Sequence, residues 1–240
     1  MTTSNPTIVL VHGAFADSAS WNGVLQRLQA VGLRTVAVAN PLRSLEGDAA
    51  YLRDVVATLD GPVVLVGHSY GGMVISEAAA GLDAVAALVF VAAFAPDTGE
   101  SALELTNRFP GGTLGDAVAS YALAGGGSEL AIRAEAFHAQ FAADVPGEEA
   151  ALMAATQRPV AEVALTSGLT AASPAWRRLP SWFVYGDADR NMPVALHRFF
   201  AERAGSRGTR ELRGVSHALT VSAPEEVAAT VLDAVAALRA

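Results

Sequence analysis

Between Val63 and Met73 four aliphatic residues, Val63-Val64-Leu65-Val66, run directly into Gly67-His68-Ser69-Tyr70-Gly71 and an apolar continuation, Gly72-Met73-Val74-Ile75. A buried strand that turns at once into a helix brings the two backbones into near contact. The residues two before and two after the apex must then lack side chains. Gly67 and Gly71 stand at those places. Ser69, at the apex, is expected to project from the end of a strand, near the positive end of the following helix. A glycine-rich turn with an incidental serine is the plainer alternative. The aliphatic run before it and the apolar helix after it favour a nucleophile.

The rest of the first half repeats the same alternation of short β-branched runs and amphipathic stretches, the pattern of a parallel sheet covered on both faces. Thr7–Val11, Thr35–Ala39, Val63–Val66 and Val85–Val91 are expected strands. Trp21, Val24, Leu25 and Leu28 recur at helical spacing, with Gly32 where a C-terminal glycine belongs. Leu52, Val55, Val56 and Leu59 mark the next helix, which Gly61-Pro62 stops, and Gly71–Ala80 another. From about residue 96 to 177 no strand is evident, only Ala-rich helical patches broken by Pro110-Gly111-Gly112 and Gly125-Gly126-Gly127. This stretch is expected to be a helical cap. Alternation resumes with strands at Ser181–Tyr185 and Thr209–Leu212 around a helix over Pro193–Ala204. Ser222-Ala223-Pro224-Glu225 has capping-box spacing before a final helix through Leu238. The expectation is therefore one α/β domain over residues 1–240, with a core of 1–95 and 178–240 and a mostly parallel sheet of about six strands.

Composition removes several functions. With 16 basic and 24 acidic residues the net charge is −8, and no basic stripe is present, which argues against nucleic acid. The absence of cysteine excludes a disulfide framework, a thiolate metal site and a cysteine nucleophile. Met1 to Pro6 is short and polar, and Thr7–Val11 is too short for a signal-peptide core or a membrane span. A cytoplasmic protein acting on a small molecule without metal or cofactor, and without membrane association, is expected; a homodimer stays open.

A serine hydroxyl needs a base, usually histidine. His12 and His68 lie inside glycine motifs, His138 lies in the insertion, and His197, within a helix, reads as a surface or packing residue. His217, in Gly214-Val-Ser-His-Ala after the last strand, lies where parallel sheets place catalytic groups. The carboxylate that orients it is expected from Tyr185-Gly-Asp-Ala-Asp189-Arg190. Asp189 is preferred over Asp187, which suits an Asx turn, and over Asp97. The order Ser69, Asp189, His217 is the order of this chemistry on an α/β sheet. Backbone amides for an oxyanion are expected from Tyr70 and from Val11-His12-Gly13-Ala14-Phe15, with Ala14 first and Phe15 second. Phe15 and Phe94 are expected in the substrate pocket, with Phe137 and Trp176 contributed by the cap. Arg133 or Arg158 would be available to a substrate carboxylate.

With these residues assembled, the chain resembles the α/β-hydrolase superfamily along nearly its whole length. Within it the chain is similar to the group of plant methyl esterases, hydroxynitrile lyases and bacterial esterase-like hydrolases. The resemblance rests on HGAFADSASW at 12–21, GHSYGG at 67–72, YGDADRNMP at 185–193 and GVSHALTVSAPEEVA at 214–228. It implies hydrolysis of carboxylic esters through an acyl-enzyme, without a cofactor and under a helical cap. An apolar cap implies a neutral substrate of small to medium size. The lyase branch carries a lysine after the histidine and a threonine in the first loop, where this chain has Ala218 and Gly13. A non-hydrolytic lyase and an inactive small-molecule receptor remain the alternatives on this scaffold.

Overall fold

The computed structural model describes residues 5–239; Met1–Ser4, part of the polar N-terminal stretch, and Ala240 lie outside the described residues. Six strands form one wholly parallel sheet: β1 (Thr7–Val11), β2 (Thr35–Val38), β3 (Val63–His68), β4 (Val85–Val91), β8 (Ser181–Gly186) and β9 (Gly208–Leu212). Their spatial order is β2-β1-β3-β4-β8-β9. Every residue of β1, β3 and β8 is buried, as helices on both faces require of a central strand. Helix α1 (Asn22–Ala30) packs on α11 (Pro224–Ala237), and α2 (Leu45–Ala57) on α3 (Gly71–Ala78). Helix α9 (Val194–Arg203) packs on β8. Gly32 ends α1 at φ +78°, with Gly32 N–H donating to Gln29 O and Leu33 N–H to Leu28 O, the paired bonds of a Schellman motif.

The chain leaves β1 toward β2 on one side and returns to β3 on the other, so the order reverses between β1 and β3. Crevices at the carboxyl ends of strands flanking such a reversal are where these sheets hold ligands. The loop after β1 and the turn after β3 meet there.

Two expectations are corrected. The stretch between β4 and β8 is not all helical. Besides α4 (Ala102–Thr106), α5 (Leu114–Ala117), α6 (Ala134–Phe141), α7 (Gly147–Thr156) and α8 (Glu162–Thr166), it holds a three-stranded antiparallel sheet of β5 (Val118–Ala122), β6 (Ser128–Ile132) and β7 (Val160–Ala161). Gly126 and Gly127, at φ +93° and +81°, turn β5 into β6, which the Ala-rich flanks conceal in the sequence. Nor does Ser222 cap the last helix. It ends α10 (Leu219–Ser222), Ala223 occupies the N-cap without a side-chain bond, and Glu225 pairs with Arg27. The capping box that forms is Ser101 with Glu104. Among the described residues no helix is long and apolar enough to cross a membrane.

Candidate active site

Ser69 stands at the apex between β3 and α3 with φ +53°, the left-handed region that costs an L-residue roughly 1–2 kcal/mol. Its carbonyl accepts from Gly72 N–H at 2.9 Å and its N–H donates to Val91 O at 3.2 Å, so the turn is bonded on both sides. A Cβ on Gly67 would stand 2.6 Å from Gly71 O, and one on Gly71 only 2.3 Å from Val11 O. Gly13 holds the first loop against the turn in the same way, a Cβ there falling 2.6 Å from the Ser69 Cβ.

Asp189 and His217 are both buried, and Asp189 Oδ2 accepts from His217 Nδ1 at 2.7 Å. A carboxylate can only accept, so Nδ1 carries the hydrogen, and in the neutral ring Nε2 is left with its lone pair. Asp189 Oδ1 accepts from the backbone N–H of Asn191 (2.8 Å) and of Met192 (3.0 Å). Burial alone would push its carboxyl up. The charge of His217 and the hydrogen bonds from His197 and His217 outweigh it and hold the group well below the usual carboxylate range.

Of the two roles expected for His197, surface or packing, the structure shows the packing one, with a bond to Asp189 that the sequence did not reveal. His197 is 1% exposed, stacks on Tyr185 with ring centroids 4.9 Å apart, and donates from Nε2 to Asp189 Oδ2 at 3.0 Å. Asp189 therefore has four donors. The rival carboxylates lie elsewhere: Asp187 is exposed and accepts from Gly214 N–H, and Asp97 pairs with Arg177.

Phe15 N–H donates to Arg158 O at 3.1 Å. The amides of Ala14 and Tyr70 have no hydrogen-bond partner among the described residues and flank Ser69 in one cavity. Beneath them Tyr70 Oη donates to Asp48 Oδ2 at 2.9 Å, both groups buried. Burial pushes the Tyr70 phenol up, reinforced by the Asp48 charge, and burial also raises Asp48. The pair anchors the residue that follows Ser69, a support not evident in the sequence.

His68 supports the site from behind. Its Nε2 donates to His217 O at 3.0 Å, while Nδ1 is buried without a partner. Burial first, then the nearby His217 charge, lowers its pKa to about 3. The unfolded chain takes up this proton below its ordinary value of 6.5 and the folded chain does not, so stability falls with pH through that window. At about pH 4.5 the loss from this residue is expected to be roughly 2–3 kcal/mol. His68→Gln keeps a donor toward the His217 carbonyl and is expected to recover most of that loss. Urea unfolding at about pH 7 and 4.5 reads the difference; equal acid sensitivity in both proteins would refute it.

The cavity before Ser69 has a volume of about 140 Å³. Phe15, Phe94, Leu103, Leu114, Leu130 and Leu165 line it, with Thr106, Asn107 and Asn191 as polar members. Two residues expected there lie elsewhere. Phe137 stacks on Phe141, whose ring edge meets His217, and Trp176 donates from Nε1 to Pro96 O beneath the guanidinium of Arg177. Both aromatic side chains are buried in packing contacts, a role their spacing in the sequence does not distinguish from a pocket. Arg133 is bonded to the carbonyls of Asp116 and Val118, and Arg158 to Pro41 O, so neither lines the cavity. Among the described residues no group of three His, Cys, Asp or Glu is arranged to hold a metal ion.

A family model described as the alpha/beta hydrolase family matches residues 8–230. The chain is 35% identical over 115 residues to the alpha/beta hydrolase nvfD of Aspergillus novofumigatus, covering 40% of this chain and 46% of that protein. It is 32% identical over 133 residues to Methylesterase 2 of Arabidopsis thaliana, covering 47% and 51%. The matched segments thus span about half the length of these curated relatives. Its backbone superposes on polyneuridine aldehyde esterase with a TM-score of 0.81 at 22% identity, over 96% of this chain and 99% of the other. That likeness shows the fold.

Proposed function

The chain belongs to the alpha/beta hydrolase family, and on that premise we propose that it cleaves a small neutral carboxylic ester through a serine acyl-enzyme. The observation that carries this is the 2.7 Å bond from His217 Nδ1 to the buried Asp189 carboxylate, which in the neutral ring makes Nε2 the base, at the strand ends where Ser69 projects. As the ester enters, Ser69 Oγ hydrogen-bonds to His217 Nε2, a contact that tightens with substrate bound. Oγ attacks the carbonyl carbon while Nε2 takes its proton, and Asp189 stabilises the imidazolium. The carbonyl oxygen, now negative, rests on the Ala14 and Tyr70 amides. These have no other partner among the described residues and so are aimed without further reorganisation. His217 returns the proton to the departing alcohol. A water activated by the same nitrogen then releases the acid and restores Ser69.

The substrate class follows from the cavity. At about 140 Å³ it is close to the roughly 150 Å³ apolar space that accepts benzene, so it takes a group of about six heavy atoms. Its lining carries no charged side chain, which disfavours a carboxylate or ammonium substrate. Residues 96–177 act as the cap that supplies most of this lining. The names of the methylesterase and polyneuridine aldehyde esterase relatives agree with ester cleavage. Gly13 and Ala218 stand where the lyase branch carries threonine and lysine, which disfavours cyanohydrin cleavage.

The test is a pre-steady-state burst with p-nitrophenyl acetate and butyrate, with mass spectrometry after a fluorophosphonate probe. A burst and a label on Ser69 are expected. Asp189→Asn is expected to lower kcat about 10⁴-fold, because an amide nitrogen facing His217 reverses its tautomer. Folded protein with neither burst nor label would remove the hydrolase assignment, and unchanged turnover in Asp189→Asn would remove the acid.

A further inference from the structure

One polar group in the cavity is left over by the chemistry just described. Asn191 is 2% exposed and lines the cavity with Ser69. Its side-chain orientation follows from its neighbours. Gln140 Nε2 lies 3.0 Å from Arg190 O and 2.9 Å from Asn191 Oδ1, while Gln140 Oε1 accepts from Thr113 Oγ1 at 2.9 Å. A backbone carbonyl can only accept, so the Gln140 nitrogen must face Arg190. That nitrogen also faces Asn191, which must therefore present its oxygen. The Asn191 Nδ2 group is left as a donor, and it has no partner among the described residues.

The other polar members are occupied. Thr106 Oγ1 donates to Ala102 O, Asn107 Nδ2 to Leu103 O and Tyr70 Oη to Asp48. Asn107 keeps a second N–H but is exposed, so apart from Ser69 the buried side-chain donor that the cavity offers, among the described residues, is Asn191 Nδ2. A donor held in fixed orientation against an apolar wall discriminates strongly, since a ligand without an acceptor leaves it unbonded.

We infer that Asn191 is a specificity-determining residue whose Nδ2 donates a hydrogen bond to an acceptor oxygen on the substrate beyond the scissile ester group. The substrate class is then an oxygenated ester carrying a hydroxyl, oxo or ether oxygen, in preference to a plain alkyl ester of the same size. This rests on the ester-hydrolase assignment and narrows it. The bond forms on either the acyl or the alcohol portion, depending on which one the cavity holds.

Ether-for-methylene pairs of equal size test it on both portions: methyl pentanoate against methyl 3-methoxypropanoate, and butyl acetate against 2-methoxyethyl acetate. In one pair the wild-type protein is expected to favour the ether by about tenfold in kcat/KM, the worth of one such bond. In Asn191→Leu that ratio is expected to collapse toward one. Gln140→Met, which frees the amide to rotate without changing the lining, is expected to give an intermediate ratio and covers the case in which the leucine variant does not fold. In folded Ser69→Ala protein the Asn191 side-chain amide resonances should shift with the ether ester and not with its alkyl partner.

Less than threefold discrimination in both pairs, or a ratio that survives Asn191→Leu, would overturn the inference and leave the hydrolase assignment standing. No turnover of any ester and no probe label on Ser69 would overturn both.

Discussion

Ser69→Ala is expected to lower kcat for ester hydrolysis by roughly five to six orders of magnitude, with the fold intact. Without Oγ there is no acyl-enzyme. What remains is the Ala14 and Tyr70 amides and binding, which together support only a residual rate over water. Ser69→Gly is expected to be equally inactive but about 1 kcal/mol more stable than Ser69→Ala. Any L-residue at position 69 holds φ at +53° against its own Cβ, and glycine does not. The comparison separates two properties of one position, the hydroxyl that reacts and the backbone strain that presents it. Steady-state rates on p-nitrophenyl butyrate and urea midpoints measure them. If Ser69→Ala kept a tenth of wild-type turnover, the nucleophile would lie elsewhere. If the two variants were equally stable, the strain at this turn would carry no energy.

Gly71→Ala is expected to destabilise the protein by about 3 kcal/mol or more, at the upper end for adding a single methyl group. The added carbon would stand 2.3 Å from the Val11 carbonyl oxygen and 3.2 Å from that of His12. Both obstacles are backbone in the loop after β1, and neither can rotate away. Relief requires α3 to move off the sheet, which carries the Tyr70 amide with it. The kcat of whatever folded protein remains is therefore expected to fall as well. Gly125→Ala is the control: nothing lies within 4 Å of its Cβ and its φ is not positive, so a change within about 0.5 kcal/mol is expected. Chemical denaturation of the two variants beside wild type decides the matter. A Gly71→Ala protein as stable as Gly125→Ala would mean that strand and helix are less closely apposed than described.

Much of this arrangement was legible beforehand wherever the constraint was local. Val63–Val66 read as a buried strand because a short, mostly β-branched aliphatic run bounded by Gly61-Pro62 and Gly67 suits a covered sheet better than a helix. Gly67 and Gly71 had to flank the turn because two backbones cannot otherwise cross. Leu28 and Gly32 end α1 by bonds that reach no further than five residues. Asp189 and His217 were legible through position, each following a strand that opens on the same edge of the sheet.

What escaped depended on contacts between distant segments. The hairpin of β5 and β6 was hidden because alanine favours helix in isolation, and a strand made of Val118-Ala-Ser-Tyr-Ala122 is stable only when β6 pairs with it. Phe137 and Trp176 looked like pocket residues because any aromatic in a cap does.

The sequence by itself determined the parallel sheet, the tight turn that presents Ser69, and the order of the three groups expected to do the chemistry. These follow from steric rules acting over a few residues and from the hydrophobic period of each element. Only the tertiary structure decided that His197 shares the Asp189 carboxylate with His217, that the Arg158 carbonyl claims the Phe15 amide and leaves Ala14 free, and that Gln140 takes the Asn191 side-chain oxygen and leaves its nitrogen unbonded among the described residues. The physical reason is the same in each case. A donor's partner is set by which acceptor the packing brings within about 3 Å, and that distance is fixed by helices and loops far apart in the chain.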